Sequence, residues 1–469
     1  MTDLLSKLPT FDHDLESLAA RIRSHCERSQ LTIVVLDDDP TGTQTVYDTN
    51  VLTAWDVETL RYELRRRESL FFILTNSRAL GSADATNLAR EIGRNLKRAS
   101  EELGRKIVVV SRSDSTLRGH YPAEVDSLAS GLGLPGSIQV IMPFFLQGGR
   151  LTVDDTHYVV EQETWTPAAE TPFAKDATFG FSKSNLQEWV AEKRQGFEAR
   201  ETVSLSIEDL RTRSVDSLAD EISGLAPQSV LVVNAVSIHD ARVFALAAHQ
   251  ALAEMADGAS LIFRTAASFV QAFAGLEERP LLEGPEMVDA NQKAGLIVVG
   301  SYVPKTTKQL DELLRLDTPP IQVQLDVDKL LDQDDDAYVG SVIENVEQHL
   351  RQSRDVVLHT SRRLVTGPDG DASLRIGNRV SETLVKIVAA LSTPLRFLIA
   401  KGGITSSDIA TKALKVRRAS VLGQILPGVP VWALNIPSKD RPVAYVVFPG
   451  NVGTETALAE AYEKLRVSV

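Results

Sequence analysis

Short apolar runs alternate with amphipathic stretches along most of the chain. An apolar run bounded by polar turn residues predicts a buried strand, and apolar residues spaced three and four apart predict a helix. The predicted strands are residues 31–36, 70–74, 106–110, 138–142, 230–233, 260–263, 296–301, 356–359, 396–400 and 443–448. Helical spacing fills much of the chain between them, including residues 14–28, 56–67, 82–103, 239–256 and 306–316. Strand–helix alternation of this kind predicts α/β structure with mainly parallel, doubly wound sheets.

Two segments interrupt the alternation. Residues 144–182 are rich in Gly, Thr, Asp and Pro, which predicts an irregular excursion with a short hairpin. Excursions this long inside a compact domain often carry function. Residues 275–292 combine Pro with charged residues and are predicted to be a linker. We therefore expect two α/β domains, residues 1–275 and 293–469, each a mainly parallel sheet flanked by helices, and we see no internal repeat.

Composition excludes several classes of protein. The formal net charge of −13 argues against a general nucleic-acid binder, which needs a basic face. Cys26 is the only cysteine, so a disulfide framework and a thiolate metal cluster are not expected. The first residues do not resemble a signal peptide, and no apolar run reaches membrane-spanning length. The simplest expectation is a cytoplasmic protein without a membrane or nucleic-acid partner, with a homodimer as one open alternative.

Three consecutive carboxylates, Asp37, Asp38 and Asp39, follow the first predicted strand, and Thr41 and Gly42 come directly after them. In open α/β sheets, ligands bind at the carboxyl ends of the strands. Clustered carboxylates repel one another unless a cation, a basic group or a proton-transfer role compensates. The stretch therefore predicts either a binding site or a solvated acidic turn.

The loop after the third predicted strand contains Arg112, Asp114 and Arg118. Two guanidinium groups near one strand end can hold a carboxylate bidentately, so this loop is a candidate site for an anionic substrate. The alternative is a loop whose charges are balanced internally by Asp114 and Glu124.

The histidines give weaker signals. His120 could act as an acid or base, but a histidine after a glycine is more often a helix-start residue. His157 and His359 have no partners at metal-ligand spacing, so a zinc site is not expected.

Two glycine loops in the second half each follow a predicted strand and open a helix. Gly402 and Gly403 follow Lys401, and Gly450, Asn451 and Gly453 follow the last predicted strand. Free N–H groups at a helix start can bind an anion, and glycine lets the backbone approach it closely. Either loop alone could be an ordinary turn, but two in one domain favour nucleotide phosphate binding, although neither is a Walker A loop.

A third glycine cluster is a decoy. Residues 131–136 match the dinucleotide-binding pattern by letter, but they precede a strand and contain Pro135. A helix-ending turn is the better interpretation.

Four short motifs occur in a fixed order: Asp-Asp-x-Thr-Gly (38–42), Asp-Ser-Thr-Leu-Arg-Gly (114–119), Gly-Gly-x-Thr (402–405) and Gly-Asn-x-Gly (450–453). Together they resemble the four-carbon acid sugar kinase family over nearly the whole chain. The resemblance implies a sugar-acid-binding N-terminal domain, a nucleotide-binding C-terminal domain and an active site between them. It also implies phosphorylation of a hydroxyl group on a tetronate or 3-oxo-tetronate by ATP with Mg²⁺.

The resemblance also assigns roles by position. The ATP-binding residues would be Ser301, Gly402, Gly403, Ile404, Thr405, Gly450, Asn451 and Gly453. The residues facing the sugar acid would be Asp38, Asp39, Thr41, Gly42, Arg112, Asp114 and Arg118. Arg112 and Arg118 would anchor the substrate carboxylate, and Asp39 or Asp38 would accept the hydroxyl proton. No metal ligand is assigned.

The chain departs from the common family pattern at several positions. The family often has Ala and Phe where this chain has Asp37 and Pro40, and Lys where it has Arg112. Phe448-Pro449 replaces a common Lys-Ser, and Ile404 replaces a Glu, which removes a carboxylate suited to holding the metal. Asp37 is therefore expected to face solvent or to cap the strand. The acid itself stays open, with a branched oxo-acid such as 3-oxo-isoapionate among the alternatives.

Two other functions stay open from the sequence. A non-catalytic nucleotide- or sugar-acid-binding regulator would fit the missing Glu at position 404. A dinucleotide oxidoreductase is the weaker alternative, because no strand is followed by the expected glycine pattern.

Overall fold

The computed structural model describes residues 6–255, 260–288, 294–332, 335–363, 365, 370–435 and 442–466. These residues divide into two compact units, Met1–Glu278 and Arg279–Val469. No helix in these ranges is long and apolar enough to cross a membrane.

The first unit is built on a parallel sheet. Its strands in chain order are β1 (Leu31–Asp37), β2 (Thr49–Leu52), β3 (Leu70–Leu74), β4 (Lys106–Arg112), β5 (Ile138–Met142), β6 (Arg150–Val153), β7 (Thr156–Glu161), β8 (Thr164–Pro167), β9 (Thr202–Leu205), β10 (Val230–Val233) and β11 (Leu261–Thr265). The parallel sheet has the order β2-β3-β1-β4-β11-β5-β10-β9. Strands β6, β7 and β8 form a separate antiparallel sheet.

Helices cover the parallel sheet and begin at side chains suited to capping. They are α1 (Leu18–Ser29), α2 (Val57–Arg65), α3 (Ser82–Leu103), α4 (Ala123–Leu132), α5 (Leu186–Lys193), α6 (Ile207–Thr212), α7 (Val215–Ser223), α8 (Ile238–Glu254) and α9 (Ala267–Phe273). Ser206 and Ser237 form capping boxes at the starts of α6 and α8. Helices α3 and α4 cross where a Cβ on Gly131 would lie 2.4 Å from the Arg90 carbonyl oxygen, so only glycine permits this close approach.

The second unit also has a mainly parallel sheet. Its strands are β12 (Ala294–Val299), β13 (Ile321–Leu325), β14 (Val356–Thr360), β15 (Leu395–Lys401), β16 (Arg418–Leu426), β17 (Val429–Leu434) and β18 (Val443–Phe448). The order is β13-β14-β12-β15-β18-β17-β16, and only the pairs that include β17 are antiparallel among the pairings described for these strands. The helices are α10 (Gly284–Met287), α11 (Pro304–Leu314), α12 (Val327–Asp332), α13 (Asp335–Arg351), α14 (Gly370–Ala390), α15 (Gly403–Asp408) and α16 (Ala457–Arg466).

The two sheets are wound in the same way. In the first unit the chain leaves β1 for β2, returns to β3 between β2 and β1, and then crosses to β4 on the other side of β1. In the second unit β12, β13, β14 and β15 repeat this order. The winding direction therefore reverses between β1 and β4 and again between β12 and β15. Such switch points, at the carboxyl ends of the strands, are where open α/β sheets bind ligands.

The predicted α/β class with mainly parallel sheets is confirmed. The excursion at 144–182 holds the β6–β8 sheet, which has one strand more than the predicted hairpin. The decoy at 131–136 does end a helix, since α4 stops at Leu132 and Gly133 follows with φ of 76°. The predicted linker contains α10, and its residues 289–292 lie outside the described residues, as does residue 256 of the predicted helix 239–256.

Candidate functional site

Four neighbouring strand ends bring the polar loops of the first unit together. Asp37 at the end of β1 lies opposite Leu74 on β3 and Arg112 on β4. Arg112 in turn lies opposite Thr265 on β11. The acidic loop (residues 37–42) and the arginine loop (residues 112–118) are therefore neighbours at the β1–β4 switch point.

Asp37, the last residue of β1, is buried, so the prediction that it faces solvent is wrong. Its Oδ1 accepts a hydrogen bond from Arg112 Nη1 at 3.0 Å, and both side chains are almost fully covered. A Cβ on Gly42 would lie 2.0 Å from the Asp37 carboxylate, so Gly42 leaves the space that this carboxylate fills. Burial raises the pKa of Asp37 to about 7, although Arg112 opposes the shift.

Arg78, just past the end of β3, connects the two loops. Its guanidinium contacts Asp39, lies 3.2 Å from Asp114 Oδ1 and 3.9 Å from Asp38 Oδ2. Sequence reasoning missed Arg78, although a basic residue at the end of a neighbouring strand was an available signal. This arginine balances much of the negative charge that the acidic loop places at the switch point.

Asp38 and Asp39 differ in what surrounds them. Neither carboxylate oxygen of the buried Asp38 has a hydrogen-bond partner, and its nearest charges are Arg112 Nη1 at 3.6 Å and Arg78 Nη1 at 3.9 Å. Burial raises the pKa of Asp38. Burial would also raise the pKa of Asp39, but Arg78 and hydrogen bonds from Thr41 hold that pKa below its ordinary value. Both carboxylate oxygens of Asp38 therefore lack a hydrogen-bond partner, whereas each oxygen of Asp39 already accepts a hydrogen bond.

The arginine loop is balanced internally, but only in part. Arg118 Nε donates to Asp114 Oδ2 at 2.9 Å. The pKa of Asp114 is raised by burial but lowered further by Arg78 and Arg118, so it ends below its ordinary value. Glu124 instead accepts a hydrogen bond from Ser77 Oγ at 2.7 Å, and burial raises its pKa to about 7.

Arg264, near the end of β11, is a further cation that sequence reasoning missed. Its guanidinium carbon lies 5.1 Å from the Trp189 ring centroid and 5.6 Å from that of Tyr121, and its Nη2 donates to the Arg118 carbonyl oxygen at 2.9 Å. Its Nη1 is buried without a hydrogen-bond partner. A Cβ on Gly119 would lie 3.5 Å from Arg264 Nη2 and 3.7 Å from Asp38 Oδ2. The glycine leaves room for a small polar group beside both side chains.

The histidines have structural partners. His120 is buried with its Nε2 3.1 Å from the Ser77 carbonyl oxygen. His157 is fully buried between Thr152 and the Ser115 carbonyl oxygen, and burial lowers its pKa to about 4. Among the residues that the structure describes, no group of three His, Cys, Asp or Glu side chains could hold a metal ion.

In the second unit, Ser301, Gly402 and Gly450 come together at the ends of β12, β15 and β18. A Cβ on Gly402 would lie 3.2 Å from the Ser301 Cβ, and one on Gly450 would lie 3.5 Å from Ser301 Oγ. The φ of Gly402 is 122°, a conformation that other residues rarely adopt. The two predicted glycine loops and Ser301 therefore line one switch point.

Helix α15 starts inside this arrangement. No side chain caps its first turn, which leaves its initial N–H groups for another acceptor. Thr405 is nearly buried beside Gly300, where a Cβ would lie 2.2 Å from Thr405 Oγ1, whereas the Ile404 side chain is 60% exposed. At position 404 the backbone, and not the side chain, is the group suited to a phosphate.

Lys401 holds the second glycine loop in place. Its buried Nζ donates to the Pro449 carbonyl oxygen at 2.5 Å and to that of Gly450 at 3.3 Å. Burial lowers its pKa to about 7. The carbonyl oxygen of Asn451 is held in turn by Lys305 Nζ at 3.2 Å, and Gly453 has φ of 86°. Lys401 thus fixes the second glycine loop.

The residues at the second switch point fit a polyphosphate. Glycine at positions 402 and 450 keeps side chains away from Ser301, and uncapped N–H groups start α15 there. Mg²⁺ usually keeps waters and phosphate oxygens among its ligands, and no carboxylate at this switch point is assigned to it.

Comparison with known proteins matches the two halves of the chain to two different family models. Residues 33–273 match the family model of a sugar-binding N-terminal domain, and residues 296–458 match that of a nucleotide-binding C-terminal domain. The chain is 25% identical to a D-threonate kinase of Salmonella typhimurium over 76% of its own length and 79% of that protein.

Two solved structures share the fold. One is a Haemophilus influenzae protein assigned to the family DUF1537, with a TM-score of 0.61 and 17% identity over 92% of this chain and all of that one. The other is a Salmonella typhimurium protein described as a tRNA synthase, with a TM-score of 0.65 and 16% identity over 92% of this chain and 98% of that one. At these identities the likeness concerns the fold alone.

Proposed function

Because the chain belongs to the four-carbon acid sugar kinase family, we propose that it transfers the terminal phosphoryl group of ATP to a hydroxyl group of a four-carbon or branched sugar acid. The observation that carries this proposal is the buried Asp38 carboxylate, which has no hydrogen-bond partner at the β1–β4 switch point. A buried carboxylate without a hydrogen-bond partner is typical of a catalytic or ligand-binding position.

On the nucleotide side, the residues suited to holding the phosphates are Ser301 and the backbone N–H groups of the loops at 402–405 and 450–453. Bound Mg²⁺ would neutralise phosphate charge and be held mainly by phosphate oxygens. Phosphoryl transfer asks the protein chiefly for positioning and charge compensation, which fixed loops provide.

On the acceptor side, Asp38 is the better base of the two carboxylates predicted from the sequence. Its raised pKa and free lone pairs suit proton acceptance, whereas Asp39 is occupied by Arg78 and Thr41. Asp38 takes the hydroxyl proton while the acceptor oxygen bonds to the terminal phosphorus and the bond from that phosphorus to the leaving oxygen of ADP breaks. Asp39 keeps Arg78 in position.

The test is ADP release with a panel of tetronates, 3-oxo-tetronates and branched oxo-acids. With the active acid, Asp38→Asn should lower kcat about 100-fold or more, as expected for loss of a general base, and leave the Kd for ATP within about twofold. The matched variant Asp39→Asn should retain more activity than Asp38→Asn. Equal or greater loss in Asp39→Asn would transfer the role of base to Asp39.

A non-catalytic binding protein is the second candidate, because Ile404 stands exposed where the family commonly has a carboxylate. Saturable ATP binding without acid-dependent ADP release by any panel member would favour this candidate. The domain boundaries, the shared cleft, the cytoplasmic location and the homodimer stay predictions.

A further inference from the structure

Two arginines lie over the ring of Phe173. The guanidinium carbon of Arg118 is 5.1 Å from the ring centroid, and that of Arg150 is 5.7 Å from it. Arg118 is paired with Asp114 at 2.9 Å and lies 3.7 Å from Asp176. Arg150 forms no ion pair with any carboxylate in the part of the chain that the structure describes.

Arg150 is held in place without being neutralised. It begins β6, its backbone pairs with that of Phe145 through hydrogen bonds of 3.1 and 2.9 Å, and its Nη1 donates to the Gly148 carbonyl oxygen. Its Nε is buried without a hydrogen-bond partner. The guanidinium is therefore preorganised, and it has donors left for a ligand.

The charge of Arg150 bears on the arginine loop. Burial and the nearby Arg118 charge lower the pKa of Arg150, while Glu161 and Asp114 oppose this effect. An arginine side chain stays charged in proteins, so Arg150 keeps a positive charge that an added anion would compensate, whereas Arg118 is already paired with Asp114. Arg112 is already paired with the buried Asp37 at 3.0 Å, so we expect Arg150 to be the second anchor.

We propose that Arg150, together with Arg118, binds the carboxylate of the acceptor and selects acids over neutral sugars. This role replaces the predicted pairing of Arg112 with Arg118. The inference rests on the proposed function for the identity of the ligand, a small hydroxy acid. It places the selecting residue on the β6–β8 sheet, in the segment whose length already suggested function.

The test compares an active acid with the neutral amide of the same acid. Arg150→Met removes the charge and keeps most of the side-chain length. We expect the KM for the acid to rise at least about tenfold, because charge-assisted hydrogen bonds to the carboxylate are lost. The KM for the amide and the KM for ATP should change by less than about twofold. Equal losses with acid and amide, or no loss with either, would overturn the proposal.

Two controls separate binding from folding. Arg98→Met removes an exposed arginine that pairs with Glu102 on α3, and should leave the KM for the acid unchanged. If Arg150→Met lowers the Tm markedly, Arg150→Lys is used as the test variant instead. Lysine keeps the charge but cannot bind a carboxylate bidentately. We expect an intermediate rise in the KM for the acid with Arg150→Lys, and a wild-type KM would overturn the proposal.

Calorimetric titration of the acid without nucleotide distinguishes this inference from the proposed function. Acid binding that Arg150→Met weakens, in a protein that releases no ADP, would support the anion site and refute the kinase. ADP release with unaltered acid affinity in Arg150→Met would refute the anion site and support the kinase. A wild-type protein that neither binds nor phosphorylates any acid of the panel would refute both.

Discussion

Asp37 and Arg112 are two positions at which the chain differs from the common pattern of its family, and their side chains contact each other at 3.0 Å. The family often has Ala and Lys there. A buried guanidinium needs a carboxylate, whereas a lysine is more easily neutralised or rearranged when its partner is missing. The two differences are therefore one structural change.

This coupling predicts a non-additive double variant. Asp37→Ala alone should lower the free energy of unfolding by about 3–5 kcal/mol, because it leaves Arg112 buried with only the more distant Asp38. The double variant Asp37→Ala/Arg112→Lys should be less destabilised than the sum of the single variants by at least about 1 kcal/mol. Urea unfolding of the wild type and all three variants measures this difference. Simple additivity would show that the two differences are independent.

Side chains at the site could be predicted from the sequence only where a motif marks them. Asp38, Asp39 and Arg118 stand in motifs at predicted strand ends, and the structure brings them together. Arg78 and Arg264 belong to no such motif, and their proximity to Asp38 depends on strand order, which the sequence does not give. The burial of Asp37 likewise depends on Gly42 and Arg112, which contact it only in the fold.

At the scale of the elements, apolar runs located the central strands because both faces of a parallel sheet are buried. The β16–β17 hairpin was missed because neither of its strands is a continuous apolar run. Strand β16 alternates buried and partly exposed residues, and Pro430 interrupts the β17 pattern. A proline within an apolar run normally argues against a strand.

The start of α15 gives a prediction at this scale. Gly402→Ala should weaken ATP binding at least about tenfold, because a side chain at φ of 122° is strained and its Cβ would crowd Ser301 and Thr405. Titration of ATP and of the acid measures the two affinities separately, and the affinity for the acid should change little. Gly340→Ala, in α13 with nothing within 4 Å of the new Cβ, is the matched control. Wild-type ATP affinity in Gly402→Ala would remove this loop from the phosphate site.

At the scale of the whole molecule, stability should depend on pH through buried carboxyl groups. The folded protein holds the pKa of Glu124 at about 7, above its ordinary value of 4.5. The folded state therefore binds this proton more tightly than the unfolded state, and stability falls as pH rises from about 4.5 through 7.

Glu124→Gln should remove the part of this dependence that comes from Glu124, while it keeps the hydrogen bond with Ser77. The variant should gain about 1–3 kcal/mol relative to the wild type at pH 8 and little at pH 5. Urea unfolding at the two pH values measures the gain. A constant difference between variant and wild type across this range would mean that Glu124 is not the titrating group.

The β6–β8 sheet also bears on how relatives of this protein diverge. It is a separate sheet from the parallel strands, and it contacts the arginine loop near the switch point through His157 and the Ser115 carbonyl oxygen. If Arg150 selects the acid, relatives that act on a different acid should differ first in the sequence of this sheet. Their phosphate-binding loops should stay the same. Exchange of residues 144–182 between two paralogues would then transfer the acid specificity of one enzyme to the other.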